Sequence, residues 1–489
     1  MVFSSAAFLF AFLPLTLAGY FLLPKKCRNL FLTAMSLGFY AWGEPKFVLV
    51  MLASIGMNYL FGLLVAKYDG TKIQGRVLAA MVILNLGLLF VFKYLNFTID
   101  NINNLFGDIL PPTHITLPIG ISFFTFQAMS YVFDVALGRG QVQRNPLNVT
   151  LYVALFPQLI AGPIVRYETV AREIGCRQET LEEFVKGTRR FTVGLAKKML
   201  LSNSIALLAD QAFDCPDPAA LSASLAWLGA LAYAFQIYFD FSGYSDMAIG
   251  LGLMFGFHFD ENFNYPYISR TVSEFWNRWH ISLSSWFRDY LFYPVSRKAV
   301  PLGKRVKKKW GKAAGRLTPT VIALAVVWLS TGIWHGASWG YILWGVYYGV
   351  LLIAGVICGP AIKGFCHRHH IPTESRGFHL FQIARTMVLV LWGYVLFRST
   401  SLSRAGAYFG AMLGLTGNAA GDAAALTALR NHGSALILCA LFSAPVVPYL
   451  EKKLHPGEGV KTALTMVLLL LSAAYIVSSS YNPFIYFAF

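Results

Sequence analysis

The chain has 489 residues, of which 56% are hydrophobic and 13% charged, with a mean hydropathy of +0.55; its charged fraction is about half that of soluble domains. Such a chain has too little polar surface for several water-facing globular domains, which excludes an ordinary cytosolic enzyme and points to one large polytopic membrane domain over residues 1–489. Its 40 Lys+Arg against 23 Asp+Glu, net +17, would suggest nucleic-acid binding in a soluble protein, but in a membrane protein basic residues collect in cytoplasmic loops and set the topology.

No charged residue precedes Lys25, and the apolar run over residues 2–23 is long enough to cross a bilayer, so it reads as a retained first helix rather than a secretory signal. Lys25, Lys26 and Arg28 follow, which places that end in the cytoplasm and the N-terminus outside. Further apolar segments recur from residues 47–64 to residues 462–477. The expected fold is all-α, with about ten to thirteen transmembrane or re-entrant helices around a buried cavity. LPIGISFFTFQ (117–127) and FPQLIAGPIVR (156–166) set Pro, Gly and polar side chains inside apolar runs. Such breaks are tolerated at membrane depth only where the backbone is shielded from lipid. Residues 166–198 are amphipathic and end on Arg189, Arg190, Lys197 and Lys198, as cytoplasmic or interfacial helices would. Residues 297–316 hold nine Lys and Arg and are expected to form a basic cytoplasmic loop facing the anionic leaflet.

Three polar constellations interrupt this apolar background, where an ionisable residue is costly and suggests function. In QIYFDFSGYSDMAIGLGLMFGF (236–257), Asp240 and Asp246 need cationic partners, for which Arg278 and Arg288 are candidates, and the small residues Ser242, Gly243, Ser245 and Gly250 permit close helix packing. Salt bridging and a direct role at a site are both open for the two carboxylates. In SEFWNRWHISLSSWFRDYLF (273–292), a continuous helix would put Trp276 and His280 on one face and Trp279 and Trp286 on another. This segment is too polar for a lipid-facing span and too aromatic for a solvated loop, so it fits either a buried re-entrant helix forming a site or an interfacial aromatic belt anchored by Arg278. Residues 317–362 contain no Asp, Glu, Lys or Arg, and their one histidine, His335, lies in WLSTGIWHGASWGYILWG. Two helices hinged near residues 336–340 are predicted, with His335 ~25 Å along the first from Thr318 and with Trp334 and Trp339 as apolar walls. His335 is then either a buried histidine bonded to a neighbouring helix or a neutral general base near a substrate.

The six cysteines show no ligand spacing and are expected to be mostly buried, inert thiols; the Cys366, His367, His369, His370 cluster sits in a basic setting unsuited to a cation, so no metal site is expected. The chain has no GxxxxGK[ST], HExxH or GxSxG motif and no matching pair of broken helices, which argues against ATP-driven transport, zinc proteolysis, an α/β-hydrolase nucleophile and an inverted-repeat transporter.

FDFSGYSDMAIGLGLMFGF, EFWNRWHISLSSWFRDYLF and IWHGASWGYILWG together resemble the membrane-bound O-acyltransferases, within them the bacterial branch that O-acetylates exported polysaccharides. The similarity runs from the opening MVFSS to the closing PFIYFAF and is weakest over residues 298–312 and 404–461. The resemblance implies that His335 matches the family's catalytic histidine and His280 its second active-site residue, often Asn or His. It implies transfer from cytoplasmic acetyl-CoA, a co-substrate rather than a bound cofactor, to a polysaccharide hydroxyl. In that reaction His335 acts as base, and His280 and the nearby tryptophans orient the donor or polarise its carbonyl. Trp276, Arg278, Trp279, Trp334, Asp240 and Asp246 complete the candidate site, with Arg278 and residues 297–316 as contacts for the donor's phosphates. The branch further implies the bacterial inner membrane, for which the N-terminus placed outside by Lys25, Lys26 and Arg28 is periplasmic, and a periplasmic acetyltransferase or esterase-like partner, which residues 483–489 would dock unless they pack in the membrane; nucleic acid is not an expected partner. Another envelope acceptor (peptidoglycan, cellulose, or teichoic acid in D-alanylation) stays open, as do a secondary transporter and an assembly scaffold.

Overall fold

A computed structural model describes residues 1–479, 481–483 and 485, and among them every regular element is a helix. Eight helices among the described residues are long and apolar enough to cross a membrane, so the chain has the expected all-α, multi-pass architecture. Other apolar segments are shorter, such as Phe8–Leu22, or more polar, such as Ala223–Met254 with Asp240 and Asp246. Leu464, Val467, Leu470 and Leu471 on the Glu458–Ser478 helix are exposed, as a lipid-facing side requires. The chain folds as two compact units: Met1–Leu200 with Asp240–Glu261 and the described residues from Gly457 on, and Leu201–Phe239 with Asn262–Pro456.

In the first unit, glycines set how closely helices approach. A Cβ on Gly187 would lie 2.6 Å from the Gly250 carbonyl oxygen, and one on Gly194 would lie 2.5 Å from that of Gly243. The Leu181–Ala196 helix therefore packs backbone to backbone against residues 240–254 at two points seven residues apart. This register brings Arg190 and Lys197 each within 2.6 Å of the Asp246 carboxylate, and Arg190 continues to Glu261 at 2.6 Å. Lys198 meets Asp240 at 2.6 Å with both side chains almost wholly buried; Asp240 also accepts from the Ile485 N–H at 2.9 Å, and Lys198 donates to the Pro483 carbonyl. The partners of the two carboxylates are thus Lys198, Lys197 and Arg190, not Arg278 or Arg288, because the glycine pairs seat the basic end of the 181–198 segment on them. Of the terminal aromatics, Phe484, Tyr486, Phe487 and Phe489 lie outside the described residues.

The breaks read from Pro and Gly are present. Gly120 adopts φ 74° to start the Ile121–Ala136 helix, and Phe156–Leu159 is a single short turn, both in buried surroundings. On the same unit's polar rim, the His258 ring nitrogens sit 2.7 Å from Glu173 and 2.9 Å from Glu183. Burial alone would lower the His258 pKa, but the hydrogen bonds and charges of the two carboxylates outweigh it and hold the pKa above the ordinary value. The stabilisation is complete below the unfolded-state pKa of about 6.5 and fades as pH rises through the higher folded-state value. The melting-temperature gap between the wild type and His258→Gln is therefore expected to be widest below about pH 6 and to narrow toward alkaline pH. A gap independent of pH would show that the imidazolium contributes nothing.

In the second unit, the basic stretch is helical rather than a loop. It belongs to the Tyr293–His335 helix, which turns back at Gly311 (φ 88°, ψ 171°). The arms on either side approach so closely that a Cβ on Gly315 would lie 2.7 Å from the Gly303 carbonyl oxygen. Lys, Arg and Ala are strong helix formers, so the charge that marked this stretch as a polar segment did not mark it as irregular. Of the cysteines, only Cys439 is buried; Cys27, Cys176 and Cys358 are exposed, the last on a candidate span where lipid would cover it.

Candidate active site

The Val272–Arg278 helix starts where the Thr271 hydroxyl accepts from the Glu274 N–H at 3.1 Å, and it ends at Trp279. His280 then takes a left-handed conformation (φ 46°, ψ 54°) before the Ile281–Phe287 helix begins. A non-glycine residue held there costs on the order of 1–3 kcal/mol and persists only when its surroundings enforce it. Asn262 does so: its carbonyl accepts from the Ile281 N–H at 3.0 Å, and its side-chain oxygen accepts from the Ser282 N–H at 3.2 Å and the Ser282 hydroxyl at 2.9 Å. Asn264 and Arg278 extend the clamp through backbone and guanidinium bonds of 2.9 and 3.1 Å. The turn interrupts the helix that would have put Trp276 with His280, and Trp279 with Trp286, on shared faces.

His335 ends the Tyr293–His335 helix, and Gly336 begins an extended connection to the Trp339–Arg368 helix, whose first turn is capped by Ser338 accepting from the Gly340 N–H at 3.1 Å. The hinge thus lies within the predicted residues 336–340. The two helices close upon each other at Gly332 and Gly345; a Cβ on Gly345 would sit 2.5 Å from the Trp328 carbonyl oxygen. Gly345→Val is expected to cost about 1–3 kcal/mol or more through overpacking and to depress activity by shifting Trp328 and His335. Unchanged melting temperature and activity would show that this contact does not set the site.

The close hairpin seats the His335 ring among three aromatics, all edge-on: Trp334 at 4.9 Å between centroids, Trp344 at 4.8 Å and Phe397 at 5.2 Å. His280 lies 6.2 Å from Trp334. Both histidines, 2% and 7% exposed, line one cavity of about 310 Å³ with Trp276, Trp279, Trp328 and Thr331, a volume within the usual range for small-molecule sites. Arg288 stands at its polar edge. Trp276 packs against Trp328 at 4.7 Å and Tyr348 at 4.8 Å. The indole nitrogens of Trp276 and Trp344 and the Tyr348 hydroxyl are buried with no hydrogen-bond partner among the described residues.

The structure therefore gathers His280, His335, Trp276, Trp279 and Trp334 in one region of the second unit. Arg278 is engaged with Glu274 at 3.0 Å and with the Asn264 carbonyl. Asp240 and Asp246 belong to the ion pairs of the first unit. Trp339, read as a wall, is 56% exposed at the start of its helix; the wall beside His335 is Trp344. Trp344 was findable by folding the hairpin about residues 336–338 and pairing Gly332 with Gly345. Asn262, 18 residues before His280, carries no spacing signal.

A family model described as MBOAT, membrane-bound O-acyltransferase family, matches residues 120–391, a range that includes both histidines and the whole cavity lining. The chain is 43% identical over 417 residues to the probable alginate O-acetylase AlgI of Pseudomonas syringae pv. tomato, covering 84% of this chain and 75% of that protein. It is 30% identical over 549 residues to the peptidoglycan O-acetyltransferase of Helicobacter pylori, covering 100% and 98%. A teichoic acid D-alanyltransferase of Bacillus subtilis is 30% identical over 295 residues, covering 59% and 70%.

Proposed function

The chain belongs to the membrane-bound O-acyltransferase family and is a multi-pass membrane acyltransferase; we propose that it moves acetyl groups from cytoplasmic acetyl-CoA toward hydroxyls of an exported, alginate-type polysaccharide. The observation that carries this reading is the shared cavity, which two buried histidines line together with three tryptophans. His335 takes the proton of an acceptor hydroxyl as its oxygen attacks the thioester carbonyl; the tetrahedral adduct collapses, the C–S bond breaks, and the CoA thiolate leaves without needing a strong acid. Water exclusion by Trp276, Trp279 and Trp328, which line the cavity, protects the thioester from hydrolysis. The donor's phosphates would meet Arg288 at the cavity edge and the basic helical arms of residues 297–316. In this reading the protein lies in a bacterial inner membrane with its N-terminus in the periplasm, and a periplasmic acetyltransferase or esterase-like protein completes delivery.

The full-length similarity to a peptidoglycan O-acetyltransferase supports peptidoglycan as a second acceptor. Deleting the gene and restoring it on a plasmid, then measuring ester-linked acetate in exported polysaccharide and in peptidoglycan separately, distinguishes the two. Loss and recovery in the polysaccharide alone is expected. Change confined to peptidoglycan would move the acceptor, and change in neither would reject acetyl transfer to both.

A further inference from the structure

We infer that Asn262 is a positioning residue that fixes the ring tautomer of His280, so that His280 meets the reactants as a hydrogen-bond acceptor. The atom identities follow from what each group can do. The Ser282 backbone N–H, which can only donate, points at the Asn262 side chain at 3.2 Å, so the atom receiving it is the amide oxygen. The Ser282 hydroxyl donates to the same oxygen at 2.9 Å. His280 Nδ1 lies 3.1 Å from that oxygen, and two acceptors at this distance would repel, so Nδ1 carries a proton. A neutral imidazole has one N–H, which leaves the lone pair on Nε2. Asn262 therefore acts twice at one turn: its carbonyl holds the Ile281 N–H at 3.0 Å, securing the left-handed His280, and its side chain sets the tautomer. His280 in this form suits a substrate O–H or N–H, and it cannot donate to a developing oxyanion on the thioester carbonyl. The polarising role, one of the two expected for it from sequence, passes to other donors, of which the buried indole N–H of Trp276, on the cavity lining, is the nearest in kind.

This inference rests on the acyl-transfer reading of the cavity, and its test separates the two. In membranes containing the full-length protein and given acetyl-CoA, Asn262→Leu is expected to lower kcat by about 10- to 100-fold with the KM for acetyl-CoA changed less than about threefold, and Asn262→Asp, which still accepts from Nδ1–H, to recover most of that loss. Wild-type kcat in Asn262→Leu, or an aspartate variant no better than leucine at equal abundance, overturns the inference. Should the leucine variant fail to accumulate, ¹⁵N-histidine labelling of the wild-type protein in nanodiscs, with His280→Asn to assign the signal, reads the tautomer directly. A pyrrole-type Nδ1 with a pyridine-type Nε2 is expected, and the reverse overturns the proposal. Full activity in His280→Ala would instead reject His280 as part of the acyl-transfer site, leaving the ¹⁵N result to decide the tautomer alone.

Discussion

Replacing His335 by alanine is expected to lower acetylation of the exported polymer by at least about 10²-fold, the contribution of a positioned general base, while the protein still inserts and accumulates. The residue ends a helix rather than sitting mid-span, and its ring is edge-on to Trp344 and Phe397. Alanine keeps the helical conformation there, and the Gly332 to Gly345 approach that closes the hairpin does not involve the imidazole. The loss is therefore one of chemistry more than of folding. Polymer acetate measured against protein abundance in the membrane checks it. A well-accumulated variant with near-normal acetate would remove His335 from the reaction.

His280→Ala is expected to be severe but incomplete, on the order of 10- to 100-fold, because an orienting group is partly replaceable by water whereas a base acting in the transition state is not. Backbone strain separates the loss of the ring from the loss of the turn. His280 holds φ 46°, a conformation in which asparagine is several-fold enriched over most other residues. His280→Asn should therefore preserve the turn and an acceptor oxygen and retain more activity than alanine. Rates over a range of acetyl-CoA concentrations give the comparison, and wild-type rates at every concentration in both variants would place His280 outside the reaction.

Both histidines were legible in the sequence because each is an ionisable group in an aromatic or apolar setting. The hinge after His335 was legible within residues 336–340, and close packing was legible from the small residues Ser242, Gly243, Ser245 and Gly250, of which the two glycines make the closest backbone approaches. What surrounds the histidines was not. Helical periodicity assumes an unbroken helix, and nothing in RWHIS announces the left-handed His280, since the group enforcing it is Asn262 in a separate loop. Asp240 and Asp246 were matched with Arg278 and Arg288 on charge alone, whereas glycine pairs on another helix bring up Arg190, Lys197 and Lys198. Charge density at residues 297–316 was read as a loop because charge reports the solvent a segment meets, not its backbone. Trp339 and Trp344 are five apart in sequence; only the register of the hairpin tells which one faces His335.

The most direct measurement uses inside-out membrane vesicles bearing the wild-type protein or His335→Ala, supplied with acetyl-labelled acetyl-CoA at the exposed cytoplasmic face together with the cell's own export machinery. Wild-type vesicles are expected to release free CoA thiol in step with label appearing on polymer or on a periplasmic partner, and His335→Ala vesicles to release no more than vesicles lacking the protein. Equal thiol release from both, or acetylation of polymer with no acetyl-CoA consumed, would contradict acetyl transfer by His335 at this cavity.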